Sequence, residues 1–368
     1  MKKYVTLGEV CTKGSSNIAQ KDIEQNSGSY GIYGASGYIK DVDFYHQDKP
    51  YIAVVKDGAG IGRTMLLPEK TSVIGTMQYL IPNNLVCVNY LYYAITYMNL
   101  SKYFTGATIP HIYFRDYQYE KLPLFTIAEQ QEIAENLQKI DRLIELCKTI
   151  CDKLDVLVKS RFVEMFGDTK SNSNDFPVCK LSDLCTVSSS KRIYQEEQST
   201  DGVPFLRISN LVELIENSYL ESDLFIPEEK YHEFLENDLV PKAGDILVTS
   251  RGTLGKCYIV QENDKFYFQD GMISWLYDID NSITPLYLTL LFDTRDIKRQ
   301  IDNLQSGSTV AYLSITMLKK LKIVIPPLAL QEQFASFVTQ TDKSKLAVKQ
   351  VLEKAETLKK ALMQEYFG

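Results

Sequence analysis

The sequence predicts an α+β protein built from two tandem strand-rich domains, each followed by a long helix, with the two helices pairing as an antiparallel coiled coil under pseudo-twofold symmetry. Three observations predict it. The chain is written twice. Each copy closes on about 40 residues of helical periodicity, free of Pro and Gly over 127–166 and resuming after Pro326-Pro327. Ahead of each helix lie short alternating apolar runs broken by Gly and Asn, the pattern of strands and turns.

The duplication comes first, because it fixes every boundary. Residues 128–167 align with 329–368 at a shift of 201 without a gap, and eleven of the forty positions are identical, among them Gln130/Gln331, Asp141/Asp342, Phe166/Phe367 and Gly167/Gly368. The same shift reaches Gly106-Ala107-Thr108 and Gly307-Ser308-Thr309. Further upstream, Leu7-Gly8-Glu9-Val10-Cys11-Thr12 matches Leu181-Ser182-Asp183-Leu184-Cys185-Thr186, and Gly62-Arg63 matches Gly255-Lys256. Four segments follow: a first domain at 1–121, a helical region at 122–168, a second domain at 169–321 and a second helical region at 322–368. Because the sequence ends on the residues that match the handover from copy one to copy two, a chain that closes on itself is expected.

The first helix has a clear start. Thr126 and Glu129 form a capping box, and Glu129, Glu132 and Glu135 suit the positive end of the helix dipole. Ile133, Leu137, Ile140, Ile144, Cys147, Cys151, Leu154 and Val158 then keep a 4-3 rhythm, a coiled-coil seam in a helix about 60 Å long. The second helix starts after Pro326-Pro327. Its seam runs from Phe334 through Val338, Thr341, Lys345, Val348, Leu352, Ala355, Lys359 and Leu362 to Tyr366, and the two lysines are expected to snorkel outward.

Composition bounds the chemistry. Seven Cys stand without a CxxC pair, which predicts reduced thiols in a cytoplasmic protein, with Cys147 and Cys151 read as packing residues. No apolar run is long enough for a membrane span. The net charge of −7 is unevenly spread: residues 1–120 carry 11 basic and 10 acidic side chains, whereas 171–320 carry 14 and 23. Nine acids fall between Glu213 and Asp238, a block expected to be a solvated face turned from any polyanion.

Several stretches imitate enzyme motifs. Asp57-Gly58-Ala59-Gly60-Ile61-Gly62 follows a strand, but a dinucleotide loop must open a helix, and Arg63-Thr64-Met65-Leu66-Leu67-Pro68 reads as a second strand, so a hairpin is expected. Ser250-Arg251-Gly252-Thr253-Leu254-Gly255-Lys256 lacks the four-residue spacing of a phosphate loop, and Cys257 replaces the hydroxyl that would hold magnesium. His46, His111 and His232 sit in no nucleophile arrangement, no Asn-Pro-Pro-Tyr segment occurs, and Glu228-Glu229-Lys230 lies inside the acidic block. No metal site and no catalytic residue is predicted. Aromatics beside Gly and basic residues, as in Tyr30-Gly31-Ile32-Tyr33-Gly34-Ala35-Ser36-Gly37-Tyr38 and Lys191-Arg192-Ile193-Tyr194, suit either plain turns or contact with phosphates and base edges.

Taken in order, VTLGEVCTKG, YGIYGASGYI, GATIPHIYFRDYQYEKLPL, CKLSDLCTVSSSKR, GVPFLRISNL, GDILVTSRGTLGK and GSTVAYLSITMLKKLKIVIPPLALQEQ resemble the tandem pattern of the specificity subunits of type I restriction–modification systems. The resemblance covers nearly the whole chain. It implies two target recognition domains, each reading one half of a bipartite site on double-stranded DNA, with the helices as ruler and docking platform. Modification (methyltransferase) subunits and a restriction (translocase/nuclease) subunit are the implied partners. S-adenosylmethionine, ATP and magnesium would then belong to those partners, with no cofactor on this chain. The candidate DNA-binding residues are Tyr33, Ser36, Tyr38, Arg63, Thr108 and His111 in copy one. In copy two they are Lys191, Arg192, Arg207, Asn210, Arg251, Lys256, Ser308 and Thr309, with Arg207 and Arg251 foremost for base edges. Two other readings stay open: a stand-alone DNA-binding or scaffold protein, and an S-adenosylmethionine-dependent enzyme using Gly58–Gly62.

Overall fold

Each copy opens by pairing its first strand with its last. In the computed structural model, which describes residues 3–106, 110–168, 170–217, 219–305 and 311–368, Tyr4–Thr6 runs antiparallel to Lys121–Pro123, with Val5 opposite Leu122. Val178–Lys180 pairs in the same way with Lys322–Val324, and Cys179 faces Ile323. A single turn of helix follows in both, Leu7–Val10 and Leu181–Asp183. From it Cys11 and Cys185 donate their Sγ to the carbonyls of Leu7 and Leu181, at 3.2 and 3.6 Å. Burial pushes both thiols up to about 12, so they pack and do not react.

The repeat extends through every sheet. Copy one holds a four-stranded antiparallel sheet in the order Cys11–Ser15, Met77–Pro82, Tyr51–Val55, Thr64–Leu67. Copy two repeats it as Thr186–Ser188, Ile273–Tyr277, Ile246–Thr249, Cys257–Ile259. The antiparallel pair Tyr51–Val55 and Thr64–Leu67 makes the Gly-rich segment between them a hairpin loop, as the sequence predicts. A smaller three-stranded sheet accompanies each: Gly37–Val42, Tyr30–Gly34 and Ser72–Val73, then Phe225–Ile226, Val203–Leu206 and Tyr267–Phe268. In both, the third strand joins in parallel.

A helix closes each domain over its long helix. Val88–Met98 and Pro285–Phe292 bury Tyr90 and Tyr287, whose hydroxyls donate to the carbonyls of Pro123 and Val324 at 2.6 and 3.1 Å. The repeated glutamines secure the junction. Gln130 accepts from Cys87 N at 2.9 Å and donates to the Leu85 and Phe125 carbonyls. Gln331 accepts from Thr284 N at 2.8 Å and donates to those of Ser282 and Pro326.

The long helices run Ile127–Phe166 and Leu328–Phe367. Glu129 accepts from Thr126 N and Oγ1 at 2.8 and 2.7 Å, so the capping box is formed. Two compact units result: Met1–Cys151 with Leu346–Gly368, and Asp152–Lys345. Each long helix therefore serves both units. In the first, Asp141 meets Lys359 at 2.5 Å and Lys148 meets Glu356 at 3.8 Å, numbers rising along one helix as they fall along the other. In the second, Asp155 meets Lys345 at 2.5 Å, and Phe166 packs on Phe334 with ring centroids 5.3 Å apart. The pairing is antiparallel in each unit. The two seam lysines do not snorkel outward: each spans to an aspartate of the facing helix and keeps a quarter to a third of its side chain exposed.

The units have like composition: one domain, the base of the helix that follows it, and the last turns of the other long helix. Phe367 lies 5.3 Å from the Tyr90 ring in the first unit, where Phe166 lies 4.8 Å from that of Tyr287 in the second. All seven cysteines are free. Among the described residues no helix is long and apolar enough to cross a membrane, and no His, Cys, Asp and Glu cluster could hold a metal ion.

Candidate nucleic-acid interface

In each domain one short crossing segment gathers three loop tips, some of them among those the sequence singles out. In copy two it is the turn between the strands Tyr267–Phe268 and Ile273–Tyr277. Gln269 N donates to Leu206 O at 2.9 Å, next to Arg207, and Asp270 accepts from Arg192 at 2.9 Å. Gly271 N donates to Ser189 Oγ at 3.1 Å, and Met272 O accepts from Ser250 N at 2.8 Å. In copy one residues 74–76 do the same: Ile74 N donates to Tyr33 O at 2.9 Å, Gly75 N to Ile18 O at 2.8 Å, and Thr76 O accepts from Lys56 N at 3.0 Å. The loops that follow three different strands are thus fixed side by side in both domains.

The hairpin loops keep the same register. Val55 N donates to Arg63 O and Thr249 N to Lys256 O, both at 2.9 Å, which bears out the match of Gly62-Arg63 with Gly255-Lys256. Gly62 and Gly255 have φ of +77° and +74°, the region that favours glycine. At Gly62 a Cβ would also stand 2.4 Å from the Ser101 backbone nitrogen. One residue beyond Lys56 and Ser250, the loop is stitched to the segment ahead of the next short helix. Asp57 bridges His111 in copy one, and Arg251 bridges Tyr312 in copy two. Flanking bonds from Ile112 N to Lys56 O and from Leu313 N to Ser250 O, both 2.9 Å, establish that the two bridges are equivalent.

In copy one Tyr33 and Tyr38 meet edge to face at 5.8 Å, Ser36 and Tyr38 are exposed at the hairpin tip, and Arg63 reaches over to donate to Ala35 O at 3.0 Å. His111 Nδ1 lies 2.7 Å from Asp57 Oδ1, and Lys56 Nζ lies 2.5 Å from Oδ2. Partial burial works to raise the Asp57 carboxyl, but these two partners outweigh it and hold the group below its usual range. Thr108, Ser308 and Thr309 lie outside the described residues.

Copy two places its cations against carboxylates. Arg192 pairs with Asp270, Arg207 with Asp223, Lys256 with Glu216, and Lys191 with Glu233 at 4.0 Å. The acidic block is therefore not a bare solvated face: Glu216, Asp223, Glu228, Glu233 and Asp238 each hold a basic side chain. Asn210 differs most from expectation. It is 9% exposed, its Oδ1 accepts from Arg207 N at 3.0 Å and its Nδ2 donates to Glu221 O at 2.7 Å, so its amide holds the Arg207 loop instead of facing a partner. Arg251 is exposed, lies 4.9 Å over the Tyr312 ring and has no ion pair among the described residues. Sequence reasoning missed Asp57 and Tyr312. The signal was there: the shift of 201 carries His111 onto Tyr312, and the two hairpins carry Asp57 onto Arg251.

The model of the type I restriction modification DNA specificity domain matches residues 2–155 and again 173–357. A putative type I restriction enzyme specificity subunit of Haemophilus influenzae is 25% identical over 339 residues, 88% of this chain and 83% of that one. The MjaVIII specificity subunit of Methanocaldococcus jannaschii is 25% identical over 334 residues, covering 85% and 77%. In fold, the chain is similar to a type I restriction–modification S subunit from M. genitalium, with a TM-score of 0.65 at 16% identity over 100% of this chain and 96% of that one. A chain from a structure of type I complex assembly gives a TM-score of 0.53 at 14% identity, covering 99% and 97%.

Proposed function

The chain belongs to the type I restriction modification DNA specificity family, and from that membership we propose that it is the non-catalytic sequence-recognition subunit of such a complex, each domain reading one half of a bipartite site on duplex DNA. The observation that carries this reading is the doubled loop cluster: the same three loop tips, gathered by the same crossing segment, in both matched domains. Residues on several loops held by a rigid sheet suit base-edge contact, which needs side chains placed to within an ångström or so. Arg251 and Arg63 are the base-reading candidates, and Lys256 and Lys191 the phosphate contacts once their carboxylates yield.

The long helices set the distance between half-sites and dock the modification subunits, and a restriction subunit joins that assembly in the cytoplasm. S-adenosylmethionine, ATP and magnesium act on those partners. Co-expression with the modification subunit, followed by sequencing of methylated bases in hosts with and without this gene, tests the reading. A bipartite methylated motif that depends on the gene is expected. Binding of duplex without recruitment of a modification subunit would make the chain a stand-alone DNA-binding protein. Methyl transfer by the pure chain would make it an enzyme.

A further inference from the structure

The bridge between hairpin loop and short helix is the place where the two domains agree in backbone and oppose each other in chemistry. Asp57 with His111, and Arg251 with Tyr312, occupy one register position in the two copies. We propose that this residue pair is the specificity-determining element of each domain: Arg251 on Tyr312 selects guanine in one half-site, and Asp57 with His111 selects a base bearing an exocyclic amine, adenine or cytosine, in the other. This rests on the reading of the chain as a DNA specificity subunit and deepens it.

Each bridge ties the loop tip to a second segment, so the side chains at both ends start from positions fixed by the sheet and not by a free loop. In copy two, the guanidinium lies 4.9 Å over the Tyr312 ring. Contact with the ring restrains the guanidinium and leaves its N–H groups for the O6 and N7 acceptors of guanine, a two-bond fit. Lys191, Arg192, Arg207 and Lys256 each have a carboxylate that DNA must displace, whereas Arg251 has none among the described residues. In copy one the same position presents acceptors. Asp57 takes one bond on each carboxylate oxygen, from His111 Nδ1 at 2.7 Å and Lys56 Nζ at 2.5 Å, and each oxygen keeps a further lone pair. His111 Nδ1 is engaged by Asp57, so the ring can meet a base only through its other nitrogen. Acceptors attract an amine at adenine N6 or cytosine N4 and repel the acceptor edge of guanine.

The test is sequence selection from a randomised duplex library by the full chain assembled with its modification subunits. Arg251→Lys keeps the charge but not the fork. It should weaken the selected duplex about 5- to 150-fold and relax one guanine in one half-site, with the other half-site unaltered. Asp57→Arg combined with His111→Tyr should turn one amine-bearing base of the other half-site into guanine. Should that exchange fail to assemble, Asp57→Asn, which keeps the shape, should loosen the same position alone. The inference is overturned if the parent selects a bipartite site and these variants select the identical one, or if either change alters both halves. A parent assembly that selects no sequence at all is a different result, and it overturns the specificity-subunit reading together with this inference.

Discussion

Gln130 and Gln331 each tie together three backbone groups that no helix or strand satisfies, and both are fully buried. Truncation removes the partner of one N–H and two carbonyls, most of them part-buried, at up to about 1–3 kcal/mol for each group that water does not reach. Gln130→Ala should therefore lower the unfolding temperature of the first unit and Gln331→Ala that of the second, read by hydrogen exchange resolved along the chain. Both glutamines are legible in the sequence as repeated identities, though their task is not, because two of the three groups each one binds lie more than forty residues away. The same distance effect hid the state of the copy-two cations. Spacing beside strands finds Lys256 and Arg207, but Glu216 stands 40 residues before one and Asp223 16 after the other. Replacing Glu216, Asp223 and Glu233 by their amides should free three cations for phosphate. Binding to any duplex should then strengthen, and the slope of log affinity against log salt should steepen by up to about 0.9 per freed contact. An unchanged slope would mean that these cations do not face DNA.

At the scale of elements, the long helices were the most legible part of the chain. Their existence and seams follow from periodicity, and the helices run Ile127–Phe166 and, after Pro326-Pro327, Leu328–Phe367. What periodicity misread was Lys345 and Lys359, because a seam lysine looks like a flaw until the facing helix supplies an acid. Asp155 and Asp141 do so, and each pair locks the register of its own unit. This bears on how the ruler can be altered. A heptad inserted after Lys148 alone lengthens one helix by about 10 Å and slides one of these ion pairs out of register. A matched heptad after Val351 restores both pairs and the seam phase. The doubly extended protein should assemble as the parent does and methylate the same half-sites about three base pairs further apart. The singly extended protein should lose stability. Equal spacing in parent and double insertion, with activity retained, would show that the helices do not set the gap.

At the scale of the whole molecule, linear order and packing order differ. Cutting the chain into 1–121, 122–168, 169–321 and 322–368 follows the repeat, yet the core of the first unit takes in Met363 and Phe367, and that of the second takes in Phe162 and Phe166. The repeat made this legible in outline, since Phe166 and Phe367 are identities of the 201-residue shift. It could not say that each aromatic packs on the domain it does not follow in helix order, because sequence similarity carries no partner. The consequence is testable. Phe367 is 7% exposed, and its ring sits against Tyr90 at 5.3 Å and Tyr97 at 6.0 Å, beside a hydrogen bond from Tyr97 to Gln364 of 2.7 Å. Phe367→Ala removes a buried ring at a cost of about 3–5 kcal/mol. It should loosen the domain formed by the first 121 residues while Asp152–Lys345 keeps its protection from hydrogen exchange. Phe166→Ala should give the mirror result, loosening the second domain and sparing the first. An exchange of residues 1–120 for those of a relative should likewise succeed only when the last turns of the C-terminal helix come from the same donor. If Phe367→Ala instead loosens the region around Tyr287, the tail does not complete the first unit.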